Sequence, residues 1–198
     1  MTEKREHRAP RIRPGDHLPD RELTSIRGET VTLPDPHALT HLQLRRFASC
    51  PICNVHLGTF VRREREIAAA DVTEIVVFHS SVEAMLPHQG ALPFVAVADP
   101  ERSLYDEFGV TRGARSVLDP RSWTAPLKPA AWAAANRERH TRGAHNDRPD
   151  LFGFPADFLV APEGRVLAAK YGTYANDQWS VDDVLALAAR HRGTLANG

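Results

Sequence analysis

Along the chain the spacing of apolar positions switches repeatedly between a two-residue and a helical period, and the switches mark out the elements. Leu23 and Ile26, then Thr30-Val31-Thr32-Leu33, predict two short strands around a turn at Gly28. His41 to Phe47 alternates Leu42 and Leu44 with polar neighbours and predicts a strand, with Arg45 and Arg46 unusual at its end. A helix is expected to start at Cys50-Pro51-Ile52-Cys53 and run through Val55, Leu57, Phe60, Val61 and Ile67 to about Ala70, with Pro51 in the first turn where its missing N–H costs little. Thr73 to Phe78 is β-branched and aromatic, the pattern of a buried strand. Beyond it the pattern predicts a short helix from about Val82 to Leu86, a strand within Leu92 to Pro100, and one or two helical turns from Ser103 to Phe108, ending at Gly109. Ala156 to Ala161 and Arg165 to Tyr171 flank Pro162-Glu163-Gly164, a hairpin signal, and Ser180 caps a last helix carrying Val181, Val184, Leu185 and Ala188 at helical spacing. Strands interleaved with helices, closed by a hairpin and a helix, predict an α/β sandwich around a mixed sheet.

Two segments fall outside this order. Residues 1–13 carry Lys4, Arg5, Arg8, Arg11 and Arg13 with little apolar content and read as a mobile arm ahead of one domain, 14–198. Residues 111–150 form a basic insertion with Arg112, Arg115, Arg121, Lys128, Arg137, Arg139, Arg142 and Arg148. A helix fits Pro129 to His140, and Trp123 and Trp132 are read as packing residues. The insertion could cover a cleft, form a homodimer surface or attract an acidic partner, with plain solvation the default.

Charge narrows the partners. Lys plus Arg and Asp plus Glu number 25 each in 198 residues, so no global field draws nucleic acid or an anionic membrane. No run reaches the roughly 20 apolar residues of a membrane span, and the first residues lack the apolar core of a signal peptide; a cytoplasmic location is expected.

The chemistry concentrates in the only two cysteines, Cys50 and Cys53, at a strand-to-helix junction. Unpaired N–H groups and the helix dipole favour an anion there, so Cys50 is expected to be a reactive thiolate, with Cys53 one turn below it to close a disulfide. A close pair in a reducing compartment is more often catalytic or metal-binding than structural. A zinc or copper site made by Cys50, Cys53 and His56 with His41 or His79 is the competing idea, although no second cysteine pair completes a structural zinc site. His79, at the end of a predicted central strand, stands where α/β sheets gather ligands and catalytic groups. No organic cofactor is implied, since the chain has no Gly-rich phosphate loop.

Three stretches together resemble the peroxiredoxin-like branch of the thioredoxin superfamily, the alkyl hydroperoxide reductase and thiol-specific antioxidant group. They are Arg13-Pro14-Gly15-Asp16-His17-Leu18-Pro19-Asp20 through Gly28 to Leu33; Phe47 to Cys53 with its long helix; and Leu92-Pro93-Phe94 through Ala98-Asp99-Pro100 to Tyr105-Asp106-Glu107-Phe108-Gly109-Val110. The resemblance spans roughly 14–110 and 151–192. It implies a thioredoxin-like fold, a mixed central sheet flanked by helices, with an N-terminal strand pair and an insertion before the final hairpin.

The active-site stretch departs from that group. Its Pro-x-x-x-Thr-x-x-Cys spacing would place Pro and Thr at Gln43 and Phe47, and its later arginine is replaced by Gly153-Phe154-Pro155-Ala156-Asp157-Phe158. That segment instead resembles the thioredoxin-type loop in which a cis proline, here Pro155, faces the cysteine pair. The resemblance therefore implies a thiol-dependent oxidoreductase with Cys50 and Cys53 catalytic, and with Phe47, His79, Phe154 and Pro155 around the substrate. Reduction of a hydroperoxide is the first expectation, with a thioredoxin or a low-molecular-weight thiol as reductant. Protein disulfide exchange is the alternative, and a non-catalytic metal-binding or redox-sensing module the third.

Overall fold

The structure, a computed structural model, describes residues 9–113, 118–119 and 152–196. Strands β1 (Arg21–Thr24) and β2 (Thr30–Leu33) form an antiparallel pair turned at Gly28, whose φ of +84° favours glycine. The main sheet contains β3 (Leu39–Leu44), β4 (Val72–Phe78), β5 (Val95–Ala98), β6 (Ala156–Val160) and β7 (Val166–Tyr171) in the order β5-β4-β3-β6-β7. β3, β4 and β5 are parallel, and β6 and β7 run antiparallel to their neighbours, so the sheet is mixed as expected. Helices α1 (Pro51–Arg62), α2 (Glu64–Ala69), α3 (Val82–Gln89), α4 (Ser103–Glu107) and α5 (Val181–Ala196) flank it. Both sheet edges are engaged near their ends, β5 by Ser25 opposite Val97 and the β7 side by His17 opposite Arg165.

The two-residue alternation of the strands sorts their side chains onto two cores. On one face Leu42, Leu44, Ile75, Val77, Phe158 and Val160 pack with Leu33 and with Tyr105 and Phe108 from the α4 region. On the other, Val72, Val76, Phe78 and Leu159 pack under α1 (Cys53, Leu57, Phe60) and α5 (Val184, Ala188).

Three expectations change in detail. The helix predicted as one piece from Cys50 to Ala70 is two, broken at Arg63 (φ −115°, ψ 19°). Arg63 caps the break, its N–H donating to the Phe60 carbonyl at 3.1 Å and its guanidinium meeting Glu66 and Asp182. The strand predicted to reach Phe47 stops at Leu44. The short helix after β4 continues through Pro87 to Gln89, with Ser81 accepting from the Ala84 N–H at its start. The predicted helix Pro129 to His140, Trp123, Trp132 and most of the arm and the basic segment lie outside the described residues.

Candidate active site

The cysteines stand where the parallel strands end. Arg45 continues the ladder one residue past β3, its N–H donating to the Val77 carbonyl at 2.8 Å. There the Tyr105 hydroxyl donates to the carbonyls of Arg45 and Val77, which fixes the exit of the strand. The chain then turns through Arg46–Ser49. Several contacts hold this loop: Ala48 N–H to Ser80 Oγ (3.0 Å), His79 N–H to the Arg46 carbonyl (3.2 Å), and the Asn54 and Gln89 amides to the Ala48 carbonyl (3.0 Å each). Such a pinned loop keeps what it carries in place.

Cys50 is the N-cap of α1, in extended backbone, with Pro51 following. Its Sγ accepts from the Cys53 N–H at 3.5 Å and from Arg46 Nη1 at 3.6 Å. The first turn of α1 holds no acidic residue, so the positive end of the helix is not neutralised there. Both thiols are free, with Cys50 1% exposed and Cys53 fully buried. The sequence pointed to a reactive Cys50; the structure places both sulfurs under cover but beside cationic groups.

Burial opposes charge on both sulfurs. On Cys53 the hydrogen bond from the Cys50 thiol and the Arg46 guanidinium outweigh it, bringing the thiol down to about 6. On Cys50 burial prevails, reinforced by the neighbouring Cys53 charge, and the thiol is pushed up. Physically the pair shares one proton: the first leaves easily, and the second would put two negative charges side by side. The easily formed anion therefore belongs to the pair, whereas the sequence assigned it to Cys50 alone.

Among the expected substrate-binding residues, Phe47 lies in the same loop, 4% exposed, with the Arg46 guanidinium 5.3 Å from its ring centre and its carbonyl accepting from the Cys50 N–H. His79 follows β4 directly and packs edge-on against Tyr105 at 5.5 Å. Phe154 and Pro155 precede β6. The Phe154–Pro155 peptide is trans, and Leu33–Pro34 is the cis bond among the described residues. Around it Gly153 is bridged to Arg112, the Phe154 N–H donates to the Thr111 carbonyl (3.3 Å), and the Pro155 carbonyl accepts from Gly172, so the chain enters β6 extended. Gly153 rather than Pro155 meets the groups at the strand ends, since a Cβ there would stand 3.1 Å from His79 Nε2 and 3.7 Å from Arg102 Nη1.

Histidines weighed as metal ligands are committed elsewhere. His41 is held between Glu74 (2.8 Å) and Asp157 (3.3 Å), and His56 Nε2 bonds the Trp179 carbonyl at 2.9 Å. Burial keeps His56 neutral, pushed down to about 3. Among the described residues no group of three or more His, Cys, Asp or Glu side chains is spaced to hold a metal.

Sequence reasoning missed Arg46 as a partner of Cys50, although its oddity at a strand end was a signal. It also missed Arg102, a buried residue with φ of +61° whose guanidinium stacks on Tyr105 at 4.6 Å. Asp99 sets that turn by accepting from the N–H groups of Ser103 and Leu104 at 2.9 Å.

A family model described as AhpC/TSA antioxidant enzyme matches residues 59–173. The chain belongs to that family. Membership makes it a thiol-dependent peroxidase, an enzyme that in general takes a hydroperoxide and a thiol reductant. The matched span runs from the end of α1 through β7 and through residues 111–150, and it begins six residues beyond Cys53. Comparison with the curated proteins gives no match. Among solved structures, peroxidoxin BcpB from Mycobacterium tuberculosis is similar at 15% identity and a TM-score of 0.65, over 90% of this chain and 97% of that one. Mycobacterium tuberculosis AhpC is similar at 14% identity and 0.62, over 93% and 96%. A cysteine-to-serine mutant of peroxiredoxin 6 of Arenicola marina is similar at 14% and 0.64, over 93% and 75%. These likenesses establish a thioredoxin-like, peroxiredoxin-type fold.

Proposed function

We propose that this AhpC/TSA enzyme reduces a small hydroperoxide at Cys50 and closes an intramolecular disulfide with Cys53. The observation that carries the reading is the Arg46 guanidinium 3.6 Å from a sulfur that also caps a helix. Here a cation from the preceding loop takes the place of the family's later arginine and hydroxyl residue. When a hydroperoxide enters, the proton that the pair shares passes to Cys53, and Cys50, now the thiolate, attacks the terminal peroxide oxygen. The O–O bond breaks, the leaving oxygen takes the Cys53 proton and departs as alcohol or water, Cys50 becomes a sulfenic acid and Cys53 is left ionised. Cys53, ionised, then attacks that sulfur; the S–S bond forms, the S–O bond breaks, and the oxygen departs with a proton as water. The Cys53 N–H and Arg46 both point at Cys50 and would stabilise charge there during the first step.

Two observations favour a small peroxide over a protein disulfide. Cys50 is 1% exposed, so a bulky disulfide would have to displace the residues that cover it. The trans Phe154–Pro155 bond departs from the thioredoxin-type cis proline expected from the sequence. Reduction of the Cys50–Cys53 disulfide falls to a thioredoxin or a low-molecular-weight thiol, and a cytoplasmic setting would supply either. No helix of the described residues is long and apolar enough to cross a membrane.

The test is kinetic. Reduced protein is mixed with hydrogen peroxide, and separately with an oxidised protein disulfide, beside the Cys50→Ser and Cys53→Ser variants. The expected result is peroxide consumption that vanishes in Cys50→Ser and is limited to one turnover in Cys53→Ser, with slow disulfide exchange. Rapid disulfide exchange with negligible peroxide consumption would overturn the reading.

A further inference from the structure

A band of ionic side chains crosses the sheet face beneath α1. Strand alternation puts His41, Gln43 and Arg45 on that face of β3, with Glu74 of β4 and Asp157 of β6 beside them, all buried. His41 bridges Glu74 and Asp157, and Gln43 donates to Glu74. Arg45 binds Asp157 through Nη2 at 2.6 Å and Gln43 through Nε at 3.1 Å. Its third nitrogen, Nη1, is buried with no hydrogen-bond acceptor among the described residues. Leaving one N–H₂ group of a fully buried guanidinium without an acceptor is costly, and such a group is placed to stabilise an anion formed beside it.

The packing indicates which charge. His41 stacks against Phe60 of α1, ring centres 5.6 Å apart. From Phe60 back to Cys53 is two helical turns, about 10 Å along α1 on the same buried side. From His41 to Arg45 is four strand residues, about 13 Å in the same direction on the same face of β3. Cys53 therefore lies over Arg45, as Phe60 lies over His41.

We propose that Arg45 is a positioning residue for the resolving step: aimed by Asp157 and Gln43, it is a buried counter-charge that, beside Arg46, helps keep the Cys53 sulfur ionised. This deepens the peroxidase reading and rests on Cys53 being the resolving cysteine. The consequence lies in the second half of the cycle, where an ionised Cys53 attacks the Cys50 sulfenic acid and, during reduction of the disulfide, leaves readily as a thiolate. Other groups also act on Cys53: Cys50 and Arg46 from the loop and Tyr105 from α4. The test must therefore separate Arg45 from them.

Thiolate absorbance at 240 nm, titrated from pH 4 to 11 in a Cys50→Ser background, reads Cys53 as the only thiol without a reagent having to reach it. Arg45→Gln is expected to move the midpoint up by about one pH unit or more, a roughly tenfold loss of thiolate below the midpoint. Arg45→Lys should restore much of the loss. Asp157→Asn, which removes the carboxylate neutralising Arg45, should move the midpoint down. That opposition of sign separates electrostatics from mere loosening, which would shift both variants alike, and Asp157→Asn keeps the test open if Arg45→Gln does not fold. A midpoint unmoved by a folded Arg45→Gln, or shifts of the same sign in both variants, would overturn the proposal. Because no peroxide is used, such a failure is distinct from failure of the peroxidase reading.

Discussion

Raising the pH should remove stability from the strand network centred on His41. This imidazole is fully buried; burial alone would push it down, but Glu74 and Asp157 overcome that and hold it up at about 9. In the unfolded chain its value is about 6.5. A group held higher in the folded state contributes stability that is complete below about 6.5 and is lost as pH rises through about 9. The interval from 6.5 to about 9, at about 1.4 kcal/mol per pH unit, is worth about 3 kcal/mol. That is a large part of the roughly 5–15 kcal/mol that holds a typical domain together. The assay is urea unfolding at pH 6, 8 and 10 of a Cys50→Ser/Cys53→Ser protein, which removes thiol titration, with and without His41→Gln. Subtracting the two at each pH cancels groups that titrate alike in both. The stability difference should shrink by about 3 kcal/mol between pH 6 and pH 10. A difference constant across that range would refute the reasoning, because it would mean that His41 carries no proton to lose.

Other consequences follow from single contacts. Arg46→Met removes the guanidinium from Cys50; a charge-assisted hydrogen bond worth about 1.5–3 kcal/mol predicts peroxide reduction at pH 7 slowed roughly tenfold to a hundredfold, read by stopped flow. Ser180 and Asp183 form a reciprocal cap at the start of α5, so Ser180→Ala should cost about 1 kcal/mol in urea unfolding and Ser180→Gly only a few tenths. Gly164 has a φ of +90°, and a Cβ there would press into the Leu18 carbonyl oxygen. Gly164→Ala should therefore cost about 1–3 kcal/mol and speed hydrogen exchange at the Leu18 amide, which bonds the Gly164 carbonyl.

Much of the fold was legible because the sheet residues alternate and the helices keep their period. Among the described residues, the seven strands stand close to where apolar spacing placed them, and so do the helices, save that the one expected from Cys50 to Ala70 is two. The break at Arg63 was not legible: Arg63 is tied to Asp182, 119 residues away, and charged residues in that stretch read equally well as a solvated helix face. The polar positions of β3 misled for a related reason. His41 and Gln43 alternate with Leu42 and Leu44 as though facing water, but they face a core and are satisfied by Glu74 and Asp157 on other strands. Periodicity registers polarity, not whether a distant partner makes burial tolerable. At the site, the Cys-x-x-Cys spacing and the helix start sufficed to find Cys50 and Cys53, and the family resemblance was carried by motifs that the fold puts in order. What failed was local geometry borrowed from resemblance: Pro155 is trans, in a stretch where Gly153 and Phe154 pair with residues 111–112. Arg46 reaches Cys50 across a turn, a contact no repeat in the sequence encodes.

The central claim is that one peroxide molecule converts two neighbouring thiols into one internal disulfide. Reduced protein treated with one equivalent of hydrogen peroxide, then alkylated and mapped by mass spectrometry, tests it directly. The account predicts loss of both free thiols within the first turnover and a Cys50–Cys53 linked peptide. Two alkylated cysteines with the peroxide still present would contradict it.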